Sequence, residues 1–232
     1  MSPTDGVIRE AWGLYKAHWR HLLPIAFVVY VTIAIVSAVL AETLTWLGSL
    51  IAAVISLVGL FWVQGALATA VEDIRDGRAD LSLRETFDRV RPQLAAIVVA
   101  GVLAAIGIVL GLLLLIVPGL VLMTWWVLII PVIALERTSA GEAFGRSREL
   151  VRGNGWNVFG VIVLTILLLI GFGIVLSIAL TPFADWLRSF VSSVVSGTLT
   201  TPFIALVWTL LYLRLRDAKA ALSASSQPAE PS

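Results

Sequence analysis

The sequence predicts an all-α integral membrane protein with six transmembrane helices in three hairpin repeats, each preceded by an amphipathic interfacial helix. Three observations support this fold class: an apolar composition, six hydrophobic stretches of membrane-spanning length, and basic residues placed on one side. Of 232 residues, 59% are hydrophobic and 13% are charged, whereas a soluble domain carries about 25% charged residues. So much apolar surface requires lipid as the solvent.

Six stretches contain the roughly 20 mostly apolar residues that a membrane helix needs. They cover approximately residues 22–41, 47–70, 94–117, 120–135, 156–181 and 190–213. The fourth stretch is the shortest and contains Pro131, so a re-entrant segment is an alternative to a full crossing. The pair Pro118-Gly119 is expected to form a tight turn between the third and fourth spans.

The basic residues predict the orientation. Fifteen of the sixteen Lys and Arg residues lie on one side of the predicted spans, and only Arg188 lies on the other. Cytoplasmic loops are enriched in basic residues, so we expect both termini in the cytoplasm. Two lysines against fourteen arginines suggest the codon usage of a GC-rich bacterial genome.

Each pair of spans follows a similar short segment, in which an aromatic residue comes two positions after a glutamate and four positions before a basic residue. The aromatic and basic residues are Trp12 and Lys16, Phe87 and Arg91, and Phe144 and Arg148. This recurrence predicts three repeats, at about 5–70, 80–135 and 138–213. They form one membrane domain over residues 1–216, and residues 217–232 are expected to be a disordered cytoplasmic tail.

Helical spacing places each of these aromatic and basic residues on one edge of an amphipathic helix. The aromatic ring can then stay at the acyl boundary while the basic group reaches lipid phosphate. The six residues are therefore candidate lipid contacts, and we expect a preference for anionic lipid. The alternative is that the helices only cover the inner ends of the bundle.

Local signals place the ends of two amphipathic helices. Ser82 with Glu85 has the spacing of a capping box, which starts a helix. Ser139 with Glu142 has the same spacing. Gly153 is well placed to end the third amphipathic helix, because glycine readily adopts the left-handed conformation found there.

The interiors of the spans are almost free of polar groups. No charged residue lies deep within a span, which argues against a proton-coupled transporter. The outer half of the sixth span is hydroxyl-rich and precedes Pro202. This polar stripe is expected to face the bundle, either as a buried structural face or as a shallow cavity. The candidate cavity residues are Asp185, Arg188, Ser192, Ser196 and Thr200.

Small residues form a stripe along the third span. Their positions are Ala96, Ala100, Ala104, Gly107 and Gly111. Such a stripe lets another helix approach closely. The neighbour is either a helix of the same chain or a helix of a second copy, so a homo-oligomer or another membrane-protein partner stays open.

Several classes of chemistry have no residues to support them. The chain contains no cysteine and two histidines, which excludes disulfides and thiolate metal sites. His18 and His21 lack a carboxylate or thiol placed to complete a metal site. Neither a catalytic site nor a cofactor nor a metal is expected, and no nucleic acid is expected as a partner.

A stretch around the fourth and fifth spans resembles a known family. Its distinctive residues are Pro118, Gly119, Pro131, Glu136, Arg146, Ser147, Gly153 and Trp156. It is similar to the membrane domain attached to some bacterial glycerophosphoryl diester phosphodiesterases and to YciC-like inner-membrane proteins. The resemblance covers about residues 118–160 and implies a multi-span membrane protein. In those enzymes the catalytic activity belongs to a separate barrel domain, so the activity is not carried over.

The residues of the motif also have an expected structural role. Glu136 is close in sequence to three basic residues and is expected to pin the third amphipathic helix to the end of the fourth span through one of them, namely Arg146, Arg148 or Arg152. Taken together, the sequence favours a non-enzymatic inner-membrane protein that interacts with lipid or a membrane partner, in envelope organisation or lipid homeostasis. The alternatives are a transporter or lipid translocator and, third, a membrane-embedded enzyme of lipid metabolism.

Overall fold

The computed structural model describes residues 4–43, 45–77, 81–181 and 185–225, with side chains described at these positions except 38, 41–43, 45, 185–190 and 224–225. Helices make up nearly all of this part of the chain. In order they are α1 (Val7–Thr43), α2 (Thr45–Arg75), α3 (Leu83–Val90), α4 (Leu94–Leu114), α5 (Ile116–Trp126), α6 (Ile129–Glu136), α7 (Ala140–Val151), α8 (Gly155–Ala179) and α9 (Asp185–Ser225). A single 3₁₀ turn, Arg91–Gln93, joins α3 to α4.

Six helical stretches in the described ranges are long and apolar enough to cross a membrane. They are Val7–Ser37, Trp46–Arg75, Leu83–Leu114, Ile116–Glu136, Gly155–Ala179 and Val191–Ser223. The fourth stretch combines α5 with α6, whereas α7 is a separate short helix between the fourth and fifth stretches. An all-helical membrane protein with six potential spans is therefore confirmed.

The predicted basic segments meet at one end of the bundle. Arg75 of α2 pairs with Asp217 of α9 at 2.9 Å. Arg214 of α9 binds Glu10 near the start of α1, and Lys219 donates to the carbonyl of Glu149 on α7. We call this region the basic end; it comprises the start of α1, residues 71–77, 81–93 and 136–155, and the C-terminal part of α9.

Helix α1 bends where the amphipathic segment meets the apolar one. His18 has a non-helical φ of −119° and ψ of 20°, and Pro24 follows within the helix. The bend sets residues 7–17 apart from the remainder of α1. The second and third predicted amphipathic segments are the separate helices α3 and α7. All three segments are thus distinct helical units, each ahead of a long apolar helix.

The predicted helix caps are confirmed. Ser82 accepts from the Glu85 N–H at 3.3 Å, and Glu85 accepts from the Ser82 N–H at 2.9 Å. Ser139 and Glu142 form the same reciprocal pair, at 3.4 and 3.0 Å. Gly153 has a φ of +93° just after α7, which is the left-handed conformation that glycine adopts without a Cβ clash.

The turn between the third and fourth spans lies earlier than predicted. Leu115 is extended, with φ −159° and ψ 136°, and separates α4 from α5. Pro118 and Gly119 lie in the first turns of α5 instead. A proline fits there because the first N–H groups of a helix have no helical acceptor to bond. The expected Pro118-Gly119 turn was therefore wrong in position.

The fourth span is interrupted near the basic end. Helix α5 ends at Trp126 and α6 begins at Ile129. Pro131 lies in the first turn of α6, and its ring would clash with the carbonyl of the residue four positions earlier in a continuous helix. The proline thus breaks the helix one turn ahead of itself, and α5 with α6 is still long enough for a full crossing.

Glycines allow α4 and α5 to pack closely. A Cβ at Gly111 would lie 3.0 Å from the Cα of Gly119, and a Cβ at Gly107 would lie 2.6 Å from the Trp126 ring. Ala100 is fully buried on the same helix. The small-residue stripe therefore packs against helices of the same chain, which is the first of the two alternatives for its neighbour, the other being a second copy.

Packing is dense at the basic end and sparse at the other. Leu22, Leu67, Leu150 and Leu210 are fully buried in the half of the bundle near the basic end. In the opposite half, the described apolar side chains are largely exposed, as with Trp46, Leu113, Leu114, Ile116 and Val175. Lipid must surround that half of the helices, because exposed apolar side chains are stable only in an apolar solvent.

The C-terminal helix is longer than the predicted membrane domain. Helix α9 continues to Ser225, nine residues past the expected domain end at position 216. Residues 226–232, the last part of the predicted tail, lie outside the described residues.

Candidate functional site

The three predicted aromatic residues at the basic end each pack edge-on against an aromatic ring of a long helix. Phe87 of α3 meets Trp62 of α2 with ring centroids 5.4 Å apart, and Phe144 of α7 meets Trp126 of α5 at 5.0 Å. Trp12 of α1 meets Phe203 of α9 at 6.1 Å. Edge-to-face pairs contribute about 0.5–1.5 kcal/mol beyond area burial, so these contacts hold the amphipathic helices on the bundle.

The three predicted basic residues are all exposed but differ in their neighbours. The Nζ of Lys16 lies 5.8 Å from the ring centroid of Trp12, which is the aromatic residue one turn earlier. The Cζ of Arg148 lies 4.2 Å from the ring of Trp125 on α5. Arg91 lies in the 3₁₀ turn at the surface. Arg148 thus has a clear structural contact, whereas Lys16 and Arg91 present their charge outward.

Helix α7 forms hydrogen bonds with both parts of the interrupted fourth span, α5 and α6. The buried Ser147 hydroxyl donates to the Trp125 carbonyl at 2.6 Å. That carbonyl lies in the last turn of α5, where carbonyls lack a helical N–H partner. Arg146 Nε lies 3.1 Å from both carboxylate oxygens of Glu136. The expected pinning of the amphipathic helix by Glu136 and Arg146 is therefore confirmed.

Two ionisable groups of α7 and its cap are shifted by these contacts. Burial lowers the pKa of the Arg146 guanidinium, but the pairs with Glu136 and Glu149 raise that pKa by more, and the net shift is upward. Hydrogen bonds from the Ser139 side chain and backbone lower the pKa of Glu142. Both groups therefore stay charged around neutral pH, which keeps the cap and the ion pair intact.

A polar network that the sequence did not reveal joins α6 to α9. The fully buried Tyr212 donates its hydroxyl to Glu136 Oε1 at 2.9 Å. Arg216 lies over the Tyr212 ring, with its Cζ 5.6 Å from the centroid. Each partner satisfies a polar group that would be costly to bury alone. Tyr212 could have been suspected only from its place at the end of an apolar span, next to basic residues.

The remaining motif residues have different surroundings. Pro131 is buried in the core, and Trp156 at the start of α8 is 86% exposed. An exposed tryptophan beside a membrane span is typical of the lipid–water interface. Pro118 and Gly119 lie at the opposite end from α7. The motif is therefore split between the two ends of the fourth span.

The polar stripe of the sixth span faces the bundle in part. Thr201, which adjoins the predicted Thr200 but was not itself predicted, is buried and bonds the Tyr30 hydroxyl at 2.8 Å. Thr200 donates to the carbonyl of Ser196 at 2.7 Å. Ser192 is half-buried. Asp185 and Arg188 belong to α9, but the side chains of this predicted cavity rim lie outside the described part of the structure.

An open groove of about 1080 Å³ lies between the start of α1, α8 and the middle of α9. Its basic-end rim includes Arg9 and Trp156, and its far part is lined by Leu164, Leu168 and Phe172. Of the predicted residues, Trp12, Trp156 and Thr200 line it. The groove depends on the distance between α8 and α9, which a one-dimensional hydropathy pattern does not contain.

No group of three or more His, Cys, Asp or Glu side chains in the described ranges is arranged to hold a metal ion. Comparison with protein-family models, with curated proteins and with solved structures finds no match.

Proposed function

We propose that this chain is a non-enzymatic protein of the bacterial inner membrane that binds anionic lipid at its basic end and acts in envelope organisation or lipid homeostasis. The observation that carries the proposal is the pairing of exposed basic residues with aromatic anchors on α1 and α3. Lys16 lies beside Trp12, and Arg91 follows Phe87 by one turn. Such pairs suit the phosphate layer of a membrane.

The aromatic contacts also support three hairpin repeats. In the second and third repeats, the aromatic residue of the amphipathic helix packs on the second span of the preceding repeat: α3 packs on α2, and α7 packs on α5 of the fourth span. The first amphipathic segment packs on α9, the last long helix. This cyclic order is what three equivalent units around a common axis would produce.

We also propose that this chain is related to the membrane proteins that its sequence resembles. The residues that resemble the phosphodiesterase-linked and YciC-like membrane proteins include Glu136, Arg146 and Ser147, and these make the contacts between α7 and the fourth span. These contacts lie within the membrane domain, which is the part that the resemblance covers.

The test of the lipid function is native mass spectrometry of a Lys16→Gln/Arg91→Gln variant mixed with phosphatidylglycerol. We expect binding to weaken about fivefold for each residue, from about 1 kcal/mol per basic group near the surface. Arg148 is left in place because its guanidinium stacks on Trp125. The charge-preserving variant Lys16→Arg/Arg91→Lys should bind normally. Equal binding by the Gln and charge-preserving variants would refute the proposal.

A second candidate function, lipid translocation, is favoured by the groove between α1, α8 and α9. Secondary transporters place their substrate sites at the interfaces of repeats, and this groove is lined by α1 of the first repeat and by α8 and α9 of the third. Reconstitution into vesicles with a fluorescent phospholipid tests the idea. Faster transfer between leaflets than in protein-free vesicles supports translocation, and an unchanged rate refutes it.

A further inference from the structure

We propose that the groove between α1, α8 and α9 holds one anionic glycerophospholipid from the leaflet at the basic end. An acyl chain would lie along α8, and the phosphate would lie at Arg9. This inference rests on the proposed lipid function and gives it a defined site, distinct from the surface charges at Lys16 and Arg91.

The dimensions of the groove fit a lipid chain. Its lining on α8 extends from Trp156 to Phe172, and sixteen residues of α-helix are about 24 Å long. One leaflet contributes about half of the roughly 30 Å hydrocarbon core. The groove is therefore long enough for a whole acyl chain with its headgroup.

The packing of α8 explains why the groove exists. Val158, Ile162 and Thr165 are buried against the bundle, whereas Leu164 and Leu168 are 48% and 46% exposed and line the groove. An open apolar cleft at membrane depth is unsuited to water, because its far part offers few polar partners. Hydrocarbon is the occupant that matches this lining.

The rim at the basic end has the chemistry for an anionic headgroup. Arg9 is exposed, lines the groove and makes no ion pair within the described residues. Asp5 also lies at the rim, and its main-chain carbonyl accepts from Arg214. Trp156 supplies the amphipathic ring that favours the headgroup level. At the mouth of this apolar cleft, a guanidinium that has no ion pair among the described residues complements one phosphate.

Gly160 offers a way to fill the groove without disturbing the fold. It lines the groove, and a Cβ built on it meets no atom within 4 Å. Gly171 lies on the same helix, is equally open, and is not part of the groove lining. Gly160→Phe and Gly171→Phe therefore form a matched pair of variants.

Native mass spectrometry with phosphatidylglycerol or phosphatidylcholine tests the site. We expect Gly160→Phe to carry one fewer tightly bound lipid than wild type, and Gly171→Phe to carry the same number. Arg9→Gln should keep the lipid but lose the preference for phosphatidylglycerol. An unchanged lipid count in Gly160→Phe overturns the proposal. A change in self-association without loss of lipid would also overturn it, because the groove would then be a protein contact.

The same measurements separate the two proposals. If Lys16→Gln/Arg91→Gln weakens binding and Gly160→Phe does not, the surface function stands and the groove site is refuted. If only Gly160→Phe loses a lipid, the groove site stands and the function of the amphipathic helices is refuted.

Discussion

At the scale of single residues, Ser147 shows how one hydroxyl supports an interrupted helix. The Ser147 hydroxyl on α7 donates a hydrogen bond of 2.6 Å to the Trp125 carbonyl at the end of α5. Threonine would add a methyl group in a fully buried position. Alanine would leave the carbonyl without this donor, in surroundings with little water to replace it.

We therefore expect Ser147→Ala to lower stability by about 1–3 kcal/mol, the cost of leaving a buried polar group unsatisfied. The measurement is thermal unfolding in a mild detergent, followed by the fluorescence of the nearby tryptophans. Ser193→Ala, at an exposed position of α9, is the control and should leave the transition unchanged. A similar transition temperature for both variants would contradict the role given to Ser147.

At the scale of helices, the crossing of α4 and α5 depends on the absence of side chains. Gly107 faces the Trp126 ring, and Gly111 faces Gly119. Close packing of this kind is a main source of helix association in lipid, where no hydrophobic effect drives helices together. The ring of Trp126 also packs against Phe144 of α7. The crossing of α4 and α5 therefore also positions this amphipathic helix.

We expect Gly107→Leu to separate α4 from α5 and to lower the unfolding temperature in detergent markedly. A leucine side chain at this position would occupy the space of the Trp126 ring, and overpacking typically costs about 1–3 kcal/mol. Ile106→Leu changes a 51% exposed neighbour and should be almost silent. The interpretation fails if the two variants unfold at the same temperature.

Hydropathy predicted the six spans, and local chemistry predicted the caps at Ser82 and Ser139, because both signals depend on neighbours in sequence. The turn at Leu115 was missed because Pro118-Gly119 is compatible with a turn and also with the first turns of a helix. Tyr212 was missed because its partner, Glu136, is 76 residues away.

The groove was missed for a related reason. Leu164 and Leu168 read as ordinary apolar positions of a span, and only the placement of α8 relative to α9 makes them a lining. When a helix is apolar on all sides, its sequence does not show which face contacts lipid and which contacts protein. Site geometry of this kind therefore lies beyond sequence patterns.

At the scale of the whole molecule, the basic end predicts the orientation of the chain in the membrane. Asp76, Gly141 and Ser223 are at that end, and Thr181 follows α8 at the other. The chain contains no cysteine, so a single introduced thiol is the only one present. Basic loops are retained in the cytoplasm.

We expect a membrane-impermeant maleimide to label Thr181→Cys on intact cells. Asp76→Cys, Gly141→Cys and Ser223→Cys should react only after the cells are permeabilised. Complete labelling of all four variants in permeabilised cells is the control for accessibility of each thiol. Labelling of any of the last three on intact cells would exclude the proposed orientation.

The pairing of the first and last long helices has a consequence for assembly. Tyr15 donates to the Leu199 carbonyl across 184 positions of sequence, and Arg214 binds Glu10 across 204. A chain is synthesised from its N-terminus, so α1 enters the membrane before its partners exist. The start of α1 can form these bonds only after the four intervening spans have been inserted and α9 has been synthesised. Loss of α9 would therefore leave α1 unsatisfied in an otherwise inserted chain, which is the state that membrane quality-control proteases would encounter.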